Sequence, residues 1–387
     1  LQSLTDGHWF KLICGASFQH VPDIRNLTLA YTLAGADCID VAADPAVILA
    51  AKEALNAAVE LSRNNGFLIE PPLLMVSLND GEDPHFRKAE FPAIACPVDC
   101  SRPCEGICPA NAIAATGVIA DRCYGCGRCL PVCPMQHITT RSYVFTASAI
   151  APLILEAGID AIEIHTQPGR LTDFQRLWIA IQPWIHQLKL LAISCPNGDG
   201  VIEYLRTLAE LVLPLPCPLI WQTDGRPMSG DIGMGATKAT IQFGQQVLNA
   251  RLPGYVQLAG GTNDYTVPKL RSLNLLRSQP VTSMTAATNQ ETAVVSRYIS
   301  GVAYGSYARV LLSPVLEQLN AMNQPPLTLA LSSSHRNTNS HDKLLNRPLP
   351  VVTTLQTRPE LLTTAVNLAH SLVSQLKPSR SAIIPTP

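Results

Sequence analysis

Aromatic side chains and charge are both scarce in this sequence. Phe, Trp and Tyr make up 5% of its 387 residues, and Asp, Glu, Lys and Arg 15%. With 47% hydrophobic residues a sizeable core can form, built from Ala, Leu, Ile and Val rather than aromatics. Positive charge is not in excess, since the formal net charge is −1. That excludes a protein held to nucleic acid by a global basic field. No run of 18 uncharged apolar residues occurs, so no membrane span is expected. The basic, apolar and cleavage-site succession of a secretory leader is also missing. A soluble, cytoplasmic protein is the expectation.

Proline and cysteine are plentiful. Thirty-one prolines imply many interrupted loops, and eight of the twelve cysteines fall between Cys96 and Cys133. Disulfides would need an oxidising compartment, to which nothing directs this chain. Clustering at fixed spacing favours metal instead.

The second half of the cluster reads Cys123–x2–Cys126–x2–Cys129–x3–Cys133–Pro134. This is the bacterial ferredoxin spacing for [4Fe–4S] clusters. Two-residue gaps turn three thiolates toward one cubane face, and the cysteine before proline is carried to the other cluster. Thiolates suit iron because they are soft, strongly donating ligands. The first half reads Cys96–x3–Cys100–x3–Cys104–x3–Cys108–Pro109, with three-residue gaps. Following ferredoxins, Cys108, Cys123, Cys126 and Cys129 hold one cluster, and Cys96, Cys100, Cys104 and Cys133 the other. Two zinc ions, each bound by four cysteines, are the alternative. The doubled Cys–Pro ending and the x2–x2–x3 run speak against them.

Around the cluster, apolar strands alternate with helical stretches. Strands are predicted at Lys11–Ala16, Cys38–Ala42, Leu73–Leu78, Ala161–Ile164, Leu190–Ser194, Pro218–Gln222, Tyr255–Leu258 and Ser300–Tyr304. Helices are predicted between them, among others at Val21–Ala34, Pro45–Arg63, Ala147–Ala157 and Thr172–Gln187. Eight such units with right-handed crossovers fit a (β/α)8 TIM-like barrel; a doubly wound sheet is the alternative. An internal echo, Leu33–Val41 against Glu156–Ile164, supports repetition of one helix-end, glycine-cap and strand unit. The expected division is 1–79 as the first part of the barrel and 80–145 as a ferredoxin-like insert after strand 3. Residues 146–323 form the second part, and 324–387 a linker and an amphipathic C-terminal helix packing on the body.

Polar residues gather at the expected C-terminal ends of the strands: Ser17, Gln19, His20, Asp44, Asn79, Asp80, His165, Thr166, Gln167, Ser194, Cys195, Asn197, Gln222, Thr223, Asp224, Arg226, Thr262 and Asn263. Gly260 and Gly261, with Arg226, form a candidate phosphate or ligand site after strand seven. The competing reading is that such residues serve as caps and loops. Cys14, Cys38 and Cys217 read as core residues, and Cys195 as facing the mouth.

The Cys96–Cys133 block resembles the cyanobacterial light-dependent period (LdpA) family. So do the flanks Ala42–Pro45, Gln222–Pro227 and Leu258–Asn263. The resemblance implies two [4Fe–4S] clusters that feed light-set redox state into the circadian clock. It also implies KaiA- and CikA-like protein partners. It transfers no catalytic residue. The other function class is an oxidoreductase passing electrons from the clusters to a ligand or flavin at the barrel mouth, or to an electron-transfer partner. Flavin mononucleotide is not the expected cofactor, and a sensor or electron carrier is preferred to an enzyme. If the ligand assignment holds, Cys126→Ser removes one cluster's worth of iron. Retention of about eight iron atoms per chain, the content of two cubanes, would contradict it.

Overall fold

The structure is a computed structural model. It describes residues 1–14, 21–81, 87–97, 99–108, 112–119, 123, 127–142, 158–225, 235–277, 295–322 and 353–377. Ser17, Gln19, His20, Cys126, Arg226, the expected helix Ala147–Ala157 and the expected linker 324–350 lie outside these residues.

Eight parallel strands close into a barrel. Their order of pairing is the chain order, with the last strand returning to the first. In sequence they are β1 (Trp9–Ile13), β2 (Cys38–Ala42) and β3 (Leu73–Asn79), then β8 (Ala161–His165), β9 (Leu190–Pro196), β10 (Leu219–Asp224), β11 (Gly254–Ala259) and β12 (Val295–Tyr304). The insert between β3 and β8 holds β4 (Arg87–Glu90), β5 (Ile113–Ala114), β6 (Gly117–Val118) and β7 (Thr139–Ser142). The barrel and the insert after strand 3 are therefore as expected. β1 begins two residues earlier than expected and ends at Ile13, and β12 begins five residues earlier.

Side chains alternate across each strand, and this parity sorts the barrel into two cores. Outward residues such as Phe10, Leu12, Ile39, Val41, Ile162, Ile164, Ile193 and Val302 pack under the helices. Phe10 stacks between Tyr31 and Tyr304, with ring centroids 5.9 and 5.1 Å away. Inward residues Trp9, Cys38, Met75, Ala161, Leu190, Ala192 and Ile220 fill the N-terminal end of the barrel, which Leu4 of the helix Gln2–Asp6 closes from below.

The expected helix Thr172–Gln187 is two pieces. An α-helix runs over Leu171–Ile181 and a 3-10 segment over Gln182–Gln187. Pro183 has no N–H to give and its ring crowds the preceding turn, so the α-helical ladder ends before it. The C-terminal helix Pro359–Val373 packs on the helices Val21–Leu33 and Ser306–Met322, as expected. Leu362, Val366, Ala369 and Val373 are its buried face. Lys377 ties the chain after it to Asp37 at 2.6 Å.

The internal echo is a real structural repeat. Gly35 and Gly158 both adopt left-handed backbone, with φ of 95° and 57°. Asp37 accepts the Phe10 N–H at 2.8 Å, and Asp160 accepts the Leu74 N–H at 2.9 Å. Each aspartate also meets a lysine, Lys377 and Lys189 respectively. The pair β1–β2 is thus repeated by β3–β8. Phe10→Ala, which empties the centre of the outer core, is expected to cost about 3–5 kcal/mol, read as a lower urea midpoint at unchanged slope.

Candidate metal centre and barrel mouth

The insert is built twice over. β4 and β7 pair antiparallel, Glu90 opposite Thr139, and β5 and β6 form a hairpin between them. Each half therefore runs strand, four cysteines, strand. Ile113 and Ile138 each follow a Cys–Pro by the same five residues, and both are buried in the insert's small core with Ala89, Ala112, Cys104, Cys123 and Cys129.

Cys96, Cys100, Cys104 and Cys133 line one cleft of about 390 Å3, counting the open space at its mouth. Phe91, Arg102, Ile113, Met135, His137 and Ile138 share its wall. These four cysteines are the set that the ferredoxin crossover assigns to one cluster. Cys104 rides on the short helix Pro103–Ile107, entered through Arg102 in left-handed backbone at φ 48°. Cys108, Cys123 and Cys129 belong to the same small core. Ala112 donates its N–H to the Cys108 sulfur at 3.2 Å, and Ala89 to the Cys123 sulfur at 3.4 Å.

The electrostatics suit anionic sulfur at Cys133. Burial pushes its thiol up, but the backbone N–H groups of His137, Met135, Ile138 and Gln136 outweigh this and leave it below the ordinary value. Burial raises the Cys104 thiol. The described cysteines are all free thiols. Among the described residues, no three His, Cys, Asp or Glu side chains converge tightly enough to hold one ion.

The barrel mouth holds a second constellation, most of which sequence reasoning missed. Above the apolar floor, the inward residues become polar. Lys11 is fully buried, with its ammonium 3.0 Å from Asp40 and in direct contact with Glu163. Ser77 donates to Asp40 at 2.8 Å. Glu163 also receives the Gln222 amide at 2.8 Å and stands 2.8 Å from His165 Nε2. Gln222 continues to Ser194 and receives Gln257, and Ser194 donates to Asp224. Lys11, Asp40, Glu163 and Gln257 each stand alone among apolar neighbours, in WFKLI, CIDVA, AIEIH and YVQLA. That solitary polar residue was the available signal: it marks the inward parity of a strand.

Burial pushes the Asp40 carboxyl up to about 6, with Lys11 only partly opposing it. Burial also acts against ionisation of Glu163, but Lys11 and His165 prevail and hold it at about 2. At the rim, burial lifts the Asp80 carboxyl to about 6, although Thr166 donates to it and Arg170 lies 3.5 Å away.

Gly260 and Gly261 both adopt left-handed backbone, φ 63° and 90°, in the turn after β11. The Gly260 carbonyl accepts from Thr240, and Thr262 donates to the Ala303 carbonyl at 2.6 Å. Asn263 accepts from Thr237 at 2.9 Å and from the Tyr265 N–H at 3.0 Å. These polar groups of the turn are engaged within the fold. Cys195 corrects an expectation. Strand parity turns Ser194 inward and Cys195 outward, into the helix-covered core at 1% exposure. Cys14 and Cys38 are fully buried core residues, as expected.

Comparison with known proteins agrees with the insert's chemistry. Residues 96–144 match a family model described as the LdpA Fe-S cluster-binding domain. Residues 153–375 match one described as the Light dependent period A C-terminal domain. The chain is 48% identical over 377 residues to Light dependent period A of Synechococcus elongatus, covering 97% of this chain and 93% of that protein.

Two outcomes follow from the buried charges. Lys11→Met strands Asp40 and Glu163 without their counter-charge and is expected to cost about 3–5 kcal/mol in a denaturation assay. Asp40 and Asp80 retain protons in the folded chain that the unfolded chain, titrating near 3.8, has released. Their contribution is therefore full below pH 3.8 and is lost as pH rises to about 6. Asp40→Asn should flatten that part of the stability profile.

Proposed function

The chain belongs to the light dependent period A family, and from that premise we propose that it is an iron–sulfur redox sensor with two [4Fe–4S] clusters. Cys96, Cys100, Cys104 and Cys133 hold the first cluster, and Cys108, Cys123, Cys126 and Cys129 the second. The observation that carries this reading is the single cleft lined by four cysteines drawn from both halves of the insert. Bound clusters supply one-electron chemistry at potentials tuned by burial and by hydrogen bonds to sulfur. The chain's own part is to present eight thiolates, to aim backbone N–H groups at them and to shape access from solvent.

In this reading the protein is cytoplasmic. It reports the redox state set by light-driven electron transport to the circadian clock, through KaiA- and CikA-like partners. The working division is a barrel in two parts, 1–79 and 146–323, an iron–sulfur insert at 80–145 and a tail at 324–387. Redox state biases the insert, and the partner reads the biased form. The insert's stem is placed to transmit it, since Asp80 leaves β3 held by Thr166 and Arg170, and Gly81 packs against the Arg170 guanidinium.

A second reading, an oxidoreductase with a ligand at the mouth, is favoured by one observation. The Lys11–Glu163–His165 chain places buried ionisable groups at the C-terminal end of a barrel, where barrel chemistry resides. Flavin mononucleotide on Gly260, Gly261 and Arg226 is the form such a ligand would take.

The two readings part in one experiment. Anaerobically purified protein is assayed for iron, sulfide and flavin, then tested for partner capture in its reduced and oxidised forms. About eight iron atoms, no flavin and redox-dependent capture are expected. Flavin at one per chain with capture indifferent to redox state would favour the enzyme.

A further inference from the structure

The two half-sites of the insert are not equivalent. Cys96, Cys100 and Cys133 are partly exposed, and with Cys104 they face an open cleft. Of the second half-site's described cysteines, Cys108 is partly exposed, while Cys123 and Cys129 are buried at 8% and 6% exposure among Ala89, Ala112 and Ile113. The polar surroundings differ in the same sense. The Arg102 guanidinium lies close enough to act on Cys96 and Cys100, while Glu105 holds it at 2.9 Å. The backbone N–H groups of Met135 to Ile138 act on the Cys133 sulfur. Solvent access, positive charge and N–H donors to sulfur all favour the reduced, more negative state of an iron–sulfur centre. Backbone N–H donors reach sulfur at both half-sites, since Ala112 and Ala89 donate to Cys108 and Cys123, so solvent access and the Arg102 charge set the first apart.

We propose that the half-site of Cys96, Cys100, Cys104 and Cys133 is the port through which this protein exchanges electrons with its surroundings, and that the second half-site is reached through it. The inference rests on the two-cluster reading given above. It assigns the sensing event to one half of the insert. An external one-electron donor passes its electron to the first site, which is the easier to reduce; an external one-electron acceptor takes that electron back. No atom or proton moves in either step. The second site, with Cys123 and Cys129 set in the insert's apolar core, equilibrates with the first and stores a further electron.

The three-residue gaps of the first half fit this role. Pro97 and Pro103 stiffen the cysteine loop, and Cys100 donates its N–H to the Pro97 carbonyl at 3.1 Å. The loop thus stays on the outside of the insert while Cys104 alone reaches its core at 7% exposure. The tighter spacing of the second half carries Cys123 and Cys129, which are both buried in the core.

The test uses anaerobically prepared, dithionite-reduced full-length protein, mixed rapidly with ferricyanide as a one-electron acceptor. Iron is counted and the reduced signals are recorded by electron paramagnetic resonance beforehand. Cys123→Ser keeps the first site, and Cys100→Ser keeps the second. Oxidation of the Cys123→Ser protein is expected to be several-fold faster than that of the Cys100→Ser protein. Hexaamminecobalt(III), of opposite charge, should give the same order, which ties the difference to access. In an otherwise intact chain, Arg102→Gln should lower the midpoint potential of the first site's signal alone. Equal or reversed rates in proteins that each retain one cluster overturn this inference and leave the two-cluster reading standing. A wild-type chain with a single cluster overturns both.

Discussion

The ammonium of Lys11, held between Asp40 and Glu163, is the contact around which the upper barrel is arranged. Removing an ion of this size from water costs several kcal/mol even after relaxation. A barrel used only as a scaffold would fill this layer with branched apolar side chains. Here the cost is offset by two carboxylates from neighbouring regions of the wall, and each of those is then satisfied in turn, Asp40 by Ser77 and Glu163 by Gln222 and His165. The chain of contacts reaches Ser194, Asp224 and Gln257, so one buried charge orders side chains from seven strands. Below it the floor of Trp9, Met75 and Ile220 keeps water out.

Much of the fold is legible in the sequence because parity and period are local properties. The barrel strands are short, mostly apolar runs, three of which end on Asn79, His165 and Asp224, and the helix boundaries fall near prolines and glycines. The iron–sulfur half-sites are legible for a different reason: ligand spacing is a covalent constraint that tertiary packing does not alter. The Lys11 network is not, although its members stand out one per strand. The partner of a lone polar residue lies on another strand, and only closure of the barrel, with Asp40 and Glu163 each a step further along in register, brings their carboxylates to the Lys11 ammonium. Cys195 differs from expectation by a single step of the same alternation, which exchanges the mouth for the outer core. The split of the helix after β8 is marked by Pro183, but the apolar pattern continues across it and hides the break.

The insert follows β3 in the chain. On the entry side, the Asp80 N–H bonds to the His165 carbonyl at 3.1 Å, one residue beyond the register that pairs Asn79 with His165. The strand thus hands the chain to the insert at the level of the imidazole that borders Glu163. Asp80 is at once the last residue of the barrel wall and a buried acid, so the insert and the polar interior share a boundary residue. Any displacement of the stem is felt first by Thr166 and Tyr204, which are bonded in series to Asp80.

The paired aspartate latches carry a consequence for what the barrel can accommodate. Asp37 and Asp160 grip the preceding strands by the same backbone contact, so the unit β1–β2 and the unit β3–β8 are closed by one and the same device. In the first unit a helix, Val21–Leu33, spans the gap between the strands. In the second unit the cysteine-bearing domain opens at that same gap. The same latch thus closes one strand pair bridged by a helix and another whose connection carries the whole cysteine-bearing module, so what joins the two strands is free to vary without loosening the wall.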